Sequence, residues 1–361
     1  LQYLPEKGIA IKGAPIRQPT SNLDVLCIAS TKSGRIFFGC VDNDIYEFDY
    51  SYNYNFFYQM LGYSSRGQIA NRTGYLLQLI IPTFLRELSY GDNIDELQVD
   101  DDRHILYCRY KKNHVYGYYL GEKETGFESC FVLADVKAEL QAFCSRTSQL
   151  SCSRVLAMMA KPELAAGMDL IRICVVPRSV SERVGLMAVT KNNIRIFFLS
   201  EPKGAVPAAP HIVAIRLPPP AAPAVHACTQ LGGTYFTVNE DTSVTAYVRD
   251  FLHRSADTPA VFASAEGVVR EGQMSRYVTQ GYQEQCVVVK ERGGQVVGVF
   301  AEPADPLPIS LSLQTRVANG LNLPCLDGAR RHFVLTASSL LVLRTPSPFD
   351  QLLSLCSSEC L

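Results

Sequence analysis

Residues Gly34 to Tyr50 read GRIFFGCVDNDIYEFDY. A short apolar run, Arg35–Gly39, meets a polar turn at Asp42-Asn43-Asp44. A second run, Ile45–Tyr50, then alternates, with Ile45, Glu47 and Asp49 on one side and Tyr46, Phe48 and Tyr50 on the other. A period of two is the signature of a β-strand with two unlike faces. Asp24–Ser30 reads as a preceding strand closed by the turn Lys32-Ser33-Gly34, so three strands form a meander.

The unit returns along the chain. Ile105–Tyr110 turns at Lys111–His114 into Val115–Leu120, and Gly185–Thr190 turns at Lys191–Asn193 into Ile194–Leu199. Tyr235–Val238 turns at Asn239–Thr242 into Ser243–Arg249. Cys286–Lys290 turns at Glu291–Gly294 into Gln295–Phe300, and His332–Thr336 turns at Ala337–Ser339 into Leu340–Arg344. With Ile45, Val115, Ile194, Val244, Val296 and Leu340 as equivalent marks, the intervals are 70, 79, 50, 52 and 44. Propeller blades recur at roughly 40–50 residues, and the two longer intervals call for insertions or an uncounted strand pair. A unit that cannot bury its own face must stack on copies of itself, and radial closure limits exposed sheet edges. The expected fold is therefore an all-β β-propeller with about five to six blades in this chain. One or two β-sandwiches are the alternative.

Insertions fill the gaps. Leu133–Cys144 places Leu133, Val136, Leu140 and Phe143 at helical spacing, which predicts a short helix. Glu201–Val225 holds PPP and repeated Ala-Pro steps and reads as an extended, partly mobile loop. Pro346-Ser347-Pro348 ends the last strand. Phe349–Leu361 then puts Leu352, Leu353, Cys356 and Cys360 on one helical face, so residues 1–345 read as the propeller and 346–361 as the start of an α-helical region.

SGRIFFGCVDNDIYEFDY at Ser33–Tyr50 resembles a stretch of the N-terminal propeller of the large non-repetitive inner-ring nucleoporin. So do LLQLIIPTFL at Leu76–Leu85, DELQVDDDRHILYCRY at Asp95–Tyr110, LMAVTKNNIRIFFLS at Leu186–Ser200, IRLPPP at Ile215–Pro220 and HFVLTASSLLVLRTPSPFDQLLSL at His332–Leu355. The segments keep the family's order across nearly the whole chain. The resemblance implies a seven-bladed propeller followed by an α-solenoid, with Phe349, Leu352, Leu353 and Cys356 at the junction. It also implies that earlier blade strands precede the segment resembling Leu1–Tyr50. The chain opens on Leu1 and holds no Trp, whereas that earlier region carries Trp in relatives, so an incomplete N-terminal blade set is expected.

Lys plus Arg total 34 and Asp plus Glu 35 among 361 residues. This balance gives no electrostatic drive toward nucleic acid or an anionic surface. Twelve Cys occur without a C-x-x-C pair or zinc-finger spacing. Cys27, Cys108, Cys174 and Cys286 sit in apolar runs, where a thiol acts as a small hydrophobe, and this usage reads as a reducing compartment. The sequon Asn71-Arg72-Thr73 would be silent there. No secretory leader pattern opens the chain, and no apolar run is long enough to span a bilayer.

Catalytic signatures are missing from the sequence: no G-x-S-x-G, no G-x-x-x-x-G-K-[ST], no H-E-x-x-H. Gly62–Gly67 is one residue too long for a nucleophile elbow. Asp100-Asp101-Asp102 could serve a cation or acid/base pair, but beside Arg103 it reads as a hairpin turn with a local ion pair. The six His are scattered, and Arg330-Arg331-His332 reads as a blade edge. No enzyme activity, cofactor, small-molecule substrate or nucleic-acid partner is expected.

Gly62–Leu85 reads GYSSRGQIANRTGYLLQLIIPTFL. Its first half is polar with few charges, and its second half carries Leu76, Leu77, Leu79, Ile80, Ile81, Phe84 and Leu85. The run is too short to span a bilayer and is interrupted by Pro82. It could lie in the membrane interface, where weak charge makes binding depend on apolar insertion and so on curvature. Leu76–Ile81 could equally be a core strand terminated by Pro82. In the resembled family this part of the propeller is a membrane-facing loop. The resemblance thus implies a scaffold at the nuclear pore, in the nuclear envelope, that contacts other nucleoporins and the curved pore membrane and supports nucleocytoplasmic transport. A propeller adaptor of a vesicle-coat-type assembly is the alternative.

Overall fold

The structure is a computed structural model. It describes residues 2–4, 8–10, 23–49, 68–73 and 93–249, the last apart from 112, 123–124, 149, 179–180, 182, 200–201, 204–205, 208, 219–223 and 232–233. It also describes 274–279, 282–289, 296–301, 330–336 and 340–345.

A small antiparallel hairpin, β1 (Gln2–Leu4) and β2 (Gly8–Ala10), comes first. The first full sheet is β3 (Val25–Ser30), β4 (Ile36–Cys40), β5 (Ile45–Asp49) and β6 (Gln68–Asn71), paired in chain order. The second is β7 (Ile94–Asp100), β8 (Ile105–Tyr110), β9 (Val115–Tyr119) and β10 (Glu128–Leu133). The third joins β11 (Leu170–Val175), β12 (Val184–Thr190) and β13 (Arg195–Leu199) to β16 (His211–Arg216). A two-stranded clip, β14 (Pro202–Lys203) and β15 (Val206–Pro207), intervenes.

The fourth sheet has the order β17-β18-β19-β21-β20, from β17 (Val225–Leu231), β18 (Thr234–Asn239), β19 (Val244–Arg249), β20 (Met274–Thr279) and β21 (Tyr282–Val289). A fifth sheet has three described strands, β22 (Val296–Ala301), β23 (Arg330–Thr336) and β24 (Leu340–Thr345).

The sheets are antiparallel, and they stack as blades. First strands touch first strands: β3 lies against β7, β7 against β11, β11 against β17, and β17 against β22. Each apolar core fills the space between neighbours. Phe37 and Ile45 of the first sheet meet Ile94, Leu97 and Leu106 of the second. Tyr107 and Phe131 of the second meet Ile173, Leu186 and Phe198 of the third. Val189 and Phe197 of the third meet Val225, Tyr235 and Tyr247 of the fourth. Every residue of β12 and β13 is buried, because a sheet in mid-stack has no solvent face. This is the all-β, propeller-like arrangement expected from the meander, with four complete blades and a fifth three-stranded sheet among the described residues.

Two backbone devices recur. Every first strand carries an irregular register against its second strand, between Val25 and Cys27, Ile94 and Glu96, Leu170 and Arg172, Val225 and Ala227, and Val296 and Gly298. One extra residue at the same place in each blade increases the local twist. The turn from second to third strand holds a left-handed residue, namely Asn43, Asn113, Asn193 and Thr242, with φ of 67°, 66°, 57° and 65°. Asparagine tolerates this region and a β-branched residue does not. Thr242→Asn is therefore expected to stabilise the protein by about 1 kcal/mol, seen as a higher urea midpoint at unchanged m.

The helical insertion is longer than its expected span. Helix α1 (Val136–Arg146) starts at Asp135, whose side chain accepts from the amides of Lys137 and Ala138, and buries Val136, Leu140 and Cys144. Leu133 belongs to β10 instead. Helix α2 (Leu150–Met159) packs on α1, and α3 (Pro162–Ala165) follows. Together they fill the 79-residue interval.

Two expectations are corrected. The hairpin read across Cys286–Phe300 does not form: β21 pairs with β19 and β20, whereas β22 starts the next sheet and pairs with β23. Glu291–Gly294, outside the described residues, has hairpin-turn chemistry, yet the strands on either side of it in sequence belong to different sheets. The stretch read as an extended loop over Glu201–Val225 contains β16, the outer strand of the third sheet, with Ile212 and Ile215 buried. Its alternating pattern HIVAIR was obscured by the proline runs on either side.

Candidate functional site

The sequence-predicted apolar segment, Leu76 to Leu85, lies outside the described residues, as do the junction residues Phe349, Leu352, Leu353 and Cys356, and Gly62–Gly67. The described flanks locate the first of these in the topology. It lies between β6, which completes the first four-stranded sheet, and β7, which opens the second.

What the described residues build is a set of polar locks between blades. Glu47 is buried and accepts from Arg35 Nε at 2.6 Å, Arg35 Nη2 at 2.9 Å and Arg72 Nε at 2.6 Å. Arg35 also donates to the Gly126 carbonyl, beyond the second sheet's third strand, at 3.0 Å. The first blade is thereby tied to the second. The sequon side chain is engaged here as well, since Asn71 Nδ2 donates to Asp44 Oδ2 at 2.7 Å.

Between the second and third sheets, buried Glu96 accepts from Arg109 Nε at 3.2 Å and from the Ile173 amide at 2.9 Å. Arg172 Nε lies 2.8 Å from the same carboxylate. Arg109 pairs with Asp95 and donates to the carbonyls of Leu170 and Ile171. Arg103, on the β7–β8 turn, donates to Asp100, to the carbonyls of Val176 and Ser181 in the β11–β12 link, and to that of Val184 at the start of β12. The triad Asp100-Asp101-Asp102 thus includes the local ion pair expected of it, but Asp100 is buried rather than displayed. Asp101 accepts from the Lys32 amide, and Asp102 from the Arg178 amide, so all three carboxylates serve as staples.

Between the third and fourth sheets, Asn193 joins the hydroxyls of Tyr235 and Tyr247 at 2.9 Å each. The fully buried Arg195 guanidinium lies 5.0 Å from both ring centroids, a cation–π arrangement in a desolvated setting. Sequence reasoning missed these locks, because a charged residue on an alternating strand reads as solvent-facing. The available signal was partial, an apolar residue two positions away on one side only, as Ile45 beside Glu47, Ile94 beside Glu96 and Phe197 beside Arg195.

Where the first strands end, a cavity of about 260 Å³ opens, lined by Lys32, Gln98, Asp102, Arg172, Cys174 and Thr229 among others. It is smaller than typical small-molecule pockets. Among the described residues no group of three or more His, Cys, Asp or Glu could hold a metal. Burial pushes the Cys27 and Cys130 thiols up to about 11 and the Cys40 and Cys144 thiols up to about 12. Such thiols pack as apolar groups.

One face differs from the rest. Leu26 and Ile28 on β3 are 47% and 62% exposed, whereas Cys27 and Ala29 pack toward the second sheet. Register places Phe38 and Tyr46 in the same row as Ile28. The stack's first blade therefore presents an apolar face away from its neighbour, the counterpart of faces that are buried in the blades that follow. Among the described residues no helix is long and apolar enough to cross a membrane.

Comparison with known proteins adds the family. A nucleoporin N-terminal family described as Nup133 N terminal like matches residues 15–285. A probable nucleoporin of Schizosaccharomyces pombe, C890.06, is 26% identical over 220 residues, which is 57% of this chain and 15% of that protein. The nuclear pore complex protein Nup154 of Drosophila melanogaster is 22% identical over 179 residues, 50% of this chain and 12% of that protein. The chain thus spans only a small part of the length of these curated relatives. Among solved structures, the Nup170 N-terminal domain of Chaetomium thermophilum, determined in complex with Nup53, superimposes with a TM-score of 0.61 at 17% identity. That alignment covers 91% of this chain and 44% of the other.

Proposed function

This chain belongs to the Nup133 N terminal like nucleoporin family, and from that premise we propose that it works as a non-catalytic structural scaffold module in the inner ring of the nuclear pore complex, at the nuclear envelope. The carrying observation is that the family match, residues 15–285, takes in the first three complete blades and the fourth as far as the middle of β21. The blade-to-blade ion pairs support the reading, because they commit the buried charges to holding the sheets together. The exposed apolar row on the first blade supports a ring closed by further blades, in keeping with the seven-bladed expectation. Other nucleoporins are the proposed partners, a class for which the Nup170–Nup53 complex offers a precedent in a protein of this fold. An α-helical region from residue 346 onward remains part of the proposal.

The membrane-contact loop comprises Leu76, Leu77, Leu79, Ile80, Ile81, Phe84 and Leu85. The completeness of the two flanking sheets supports a loop here, since neither needs another strand from this segment. With little basic charge, such a loop binds by apolar insertion into packing defects, which are most frequent on curved bilayers. The double substitution Leu77→Asp with Ile81→Asp is expected to abolish flotation with small, highly curved liposomes and to leave the circular dichroism spectrum and melting midpoint unchanged. Unfolding of the variant would instead assign Leu76–Ile81 to the core. Imaging of the tagged parent protein in living cells is expected to give a punctate nuclear rim. Labelling of vesicles would overturn the pore assignment.

A further inference from the structure

Cys174 and Cys228 stand on the first strands of adjacent blades, β11 and β17, within one apolar core. The two strands are in contact, and the Cys228 side chain is near enough to raise the Cys174 thiol. Both residues are buried, with 5% of their surface exposed. Cys174 also forms part of the wall of the cavity at the end of the first strands, and Arg172, two residues earlier on β11, lines the same cavity. A second close pair, Cys144 on α1 and Cys152 on α2, lies in the core under the helical insertion. That pair is not among the residues lining the cavity.

We propose that Cys174 and Cys228 form an oxidative modification site, at which a small peroxide entering the cavity converts the two thiols into a disulfide joining the third and fourth blades. The Cys174 sulfur attacks one peroxide oxygen. An S–O bond forms, the O–O bond breaks, and the thiol proton leaves in the first water molecule. The Cys228 sulfur then attacks the resulting sulfenic acid. An S–S bond forms, the S–O bond breaks, and the second proton leaves with the hydroxyl as water. Two thiols are oxidised, one peroxide is reduced, and two water molecules are released.

Cavity access sets the order of events: Cys174 is struck first and Cys228 resolves it. The neighbouring Cys228 sulfur and burial hold the Cys174 thiol well above its ordinary range, so the thiolate is scarce at neutral pH and the reaction quickens as pH rises. A cross-link between residues 174 and 228 closes a long loop of the unfolded chain, which raises stability in the oxidised form.

The test treats the reduced full chain with hydrogen peroxide at pH 8 and maps disulfides by mass spectrometry of unreduced peptides. The expected result is a Cys174–Cys228 link that forms before any Cys144–Cys152 link. The melting midpoint should rise by about 5 °C and fall back on reduction. Cys228→Ser and Cys228→Ala should both lose the link and the shift, and the alanine variant guards against loss of folding from a buried hydroxyl. Three results overturn the site: Cys174 and Cys228 alkylated as free thiols after peroxide treatment, a link that forms only in denaturant, or Cys144–Cys152 oxidised first. None of these readouts depends on the nuclear pore assignment.

Discussion

Arg103→Ala is expected to lower the unfolding free energy by about 3–5 kcal/mol, because it takes the guanidinium from three carbonyls and leaves the buried Asp100 carboxylate with the residue-103 amide but no countercharge. The guanidinium ties the β7–β8 turn to the carbonyls of Val176, Ser181 and Val184. The loss should depend on pH. Burial already lifts the Asp100 carboxyl above its ordinary value, against the opposing pull of Arg103. With that pull removed, the folded-state value rises further while the unfolded-state value stays ordinary. Between the two values the folded state binds more protons than the unfolded chain, so stability falls as pH rises. Denaturant unfolding should therefore show a smaller deficit at pH 5 than at pH 8. Replacing Asp100 with Asn in the same chain should recover part of the loss at pH 8. An equal deficit at both pH values would mean that the guanidinium does not help to hold Asp100 in its charged form.

Glu96→Ala should cost about as much, again 3–5 kcal/mol. Its carboxylate is shared by Arg109 and Arg172 and also accepts from the Ile173 amide. Truncation leaves the buried Arg109 with less countercharge and the Ile173 amide with no acceptor. Glu96→Gln keeps an acceptor for the amide and should lose less. Unfolding monitored by fluorescence and by circular dichroism would check both variants. A Glu96→Ala midpoint within error of the wild type would show that the Glu96 carboxylate adds nothing to the hold between the second and third blades.

Much of this was legible in the sequence, for a physical reason. A hairpin between second and third strands is local: two alternating runs flank a turn whose asparagine accepts a left-handed backbone, as at Asn43, Asn113 and Asn193. Those elements stand where the pattern put them. What escaped was non-local. The partner of β21 is β19, more than thirty residues earlier, and no turn chemistry marks that pairing. The outer strand β16 lay between proline-rich flanks. The register irregularity in every first strand left no mark in a period-two pattern, which assumes an unbroken alternation. For the candidate site, the charge locks were hidden because Glu96 and Arg109 look like solvent-facing residues until the neighbouring blade is placed over them. The apolar run at Leu76–Leu85 was conspicuous, but a run of that length does not say whether a core or a bilayer covers it.

The strand order of the fourth blade has a consequence for the ribosome. In the first three blades each new strand pairs with the one made before it, apart from the small β14–β15 clip. In the fourth blade, β19 is synthesised, and its final neighbour β21 does not emerge until residues 250–281 have passed. At about 5–20 residues per second, the open edge of Val244–Arg249 waits for seconds beside a nascent chain, and an unpaired edge is a template for strands from other molecules. The vulnerable moment of this protein's life is therefore a brief interval of translation, and slowing elongation just after residue 249 should lengthen it.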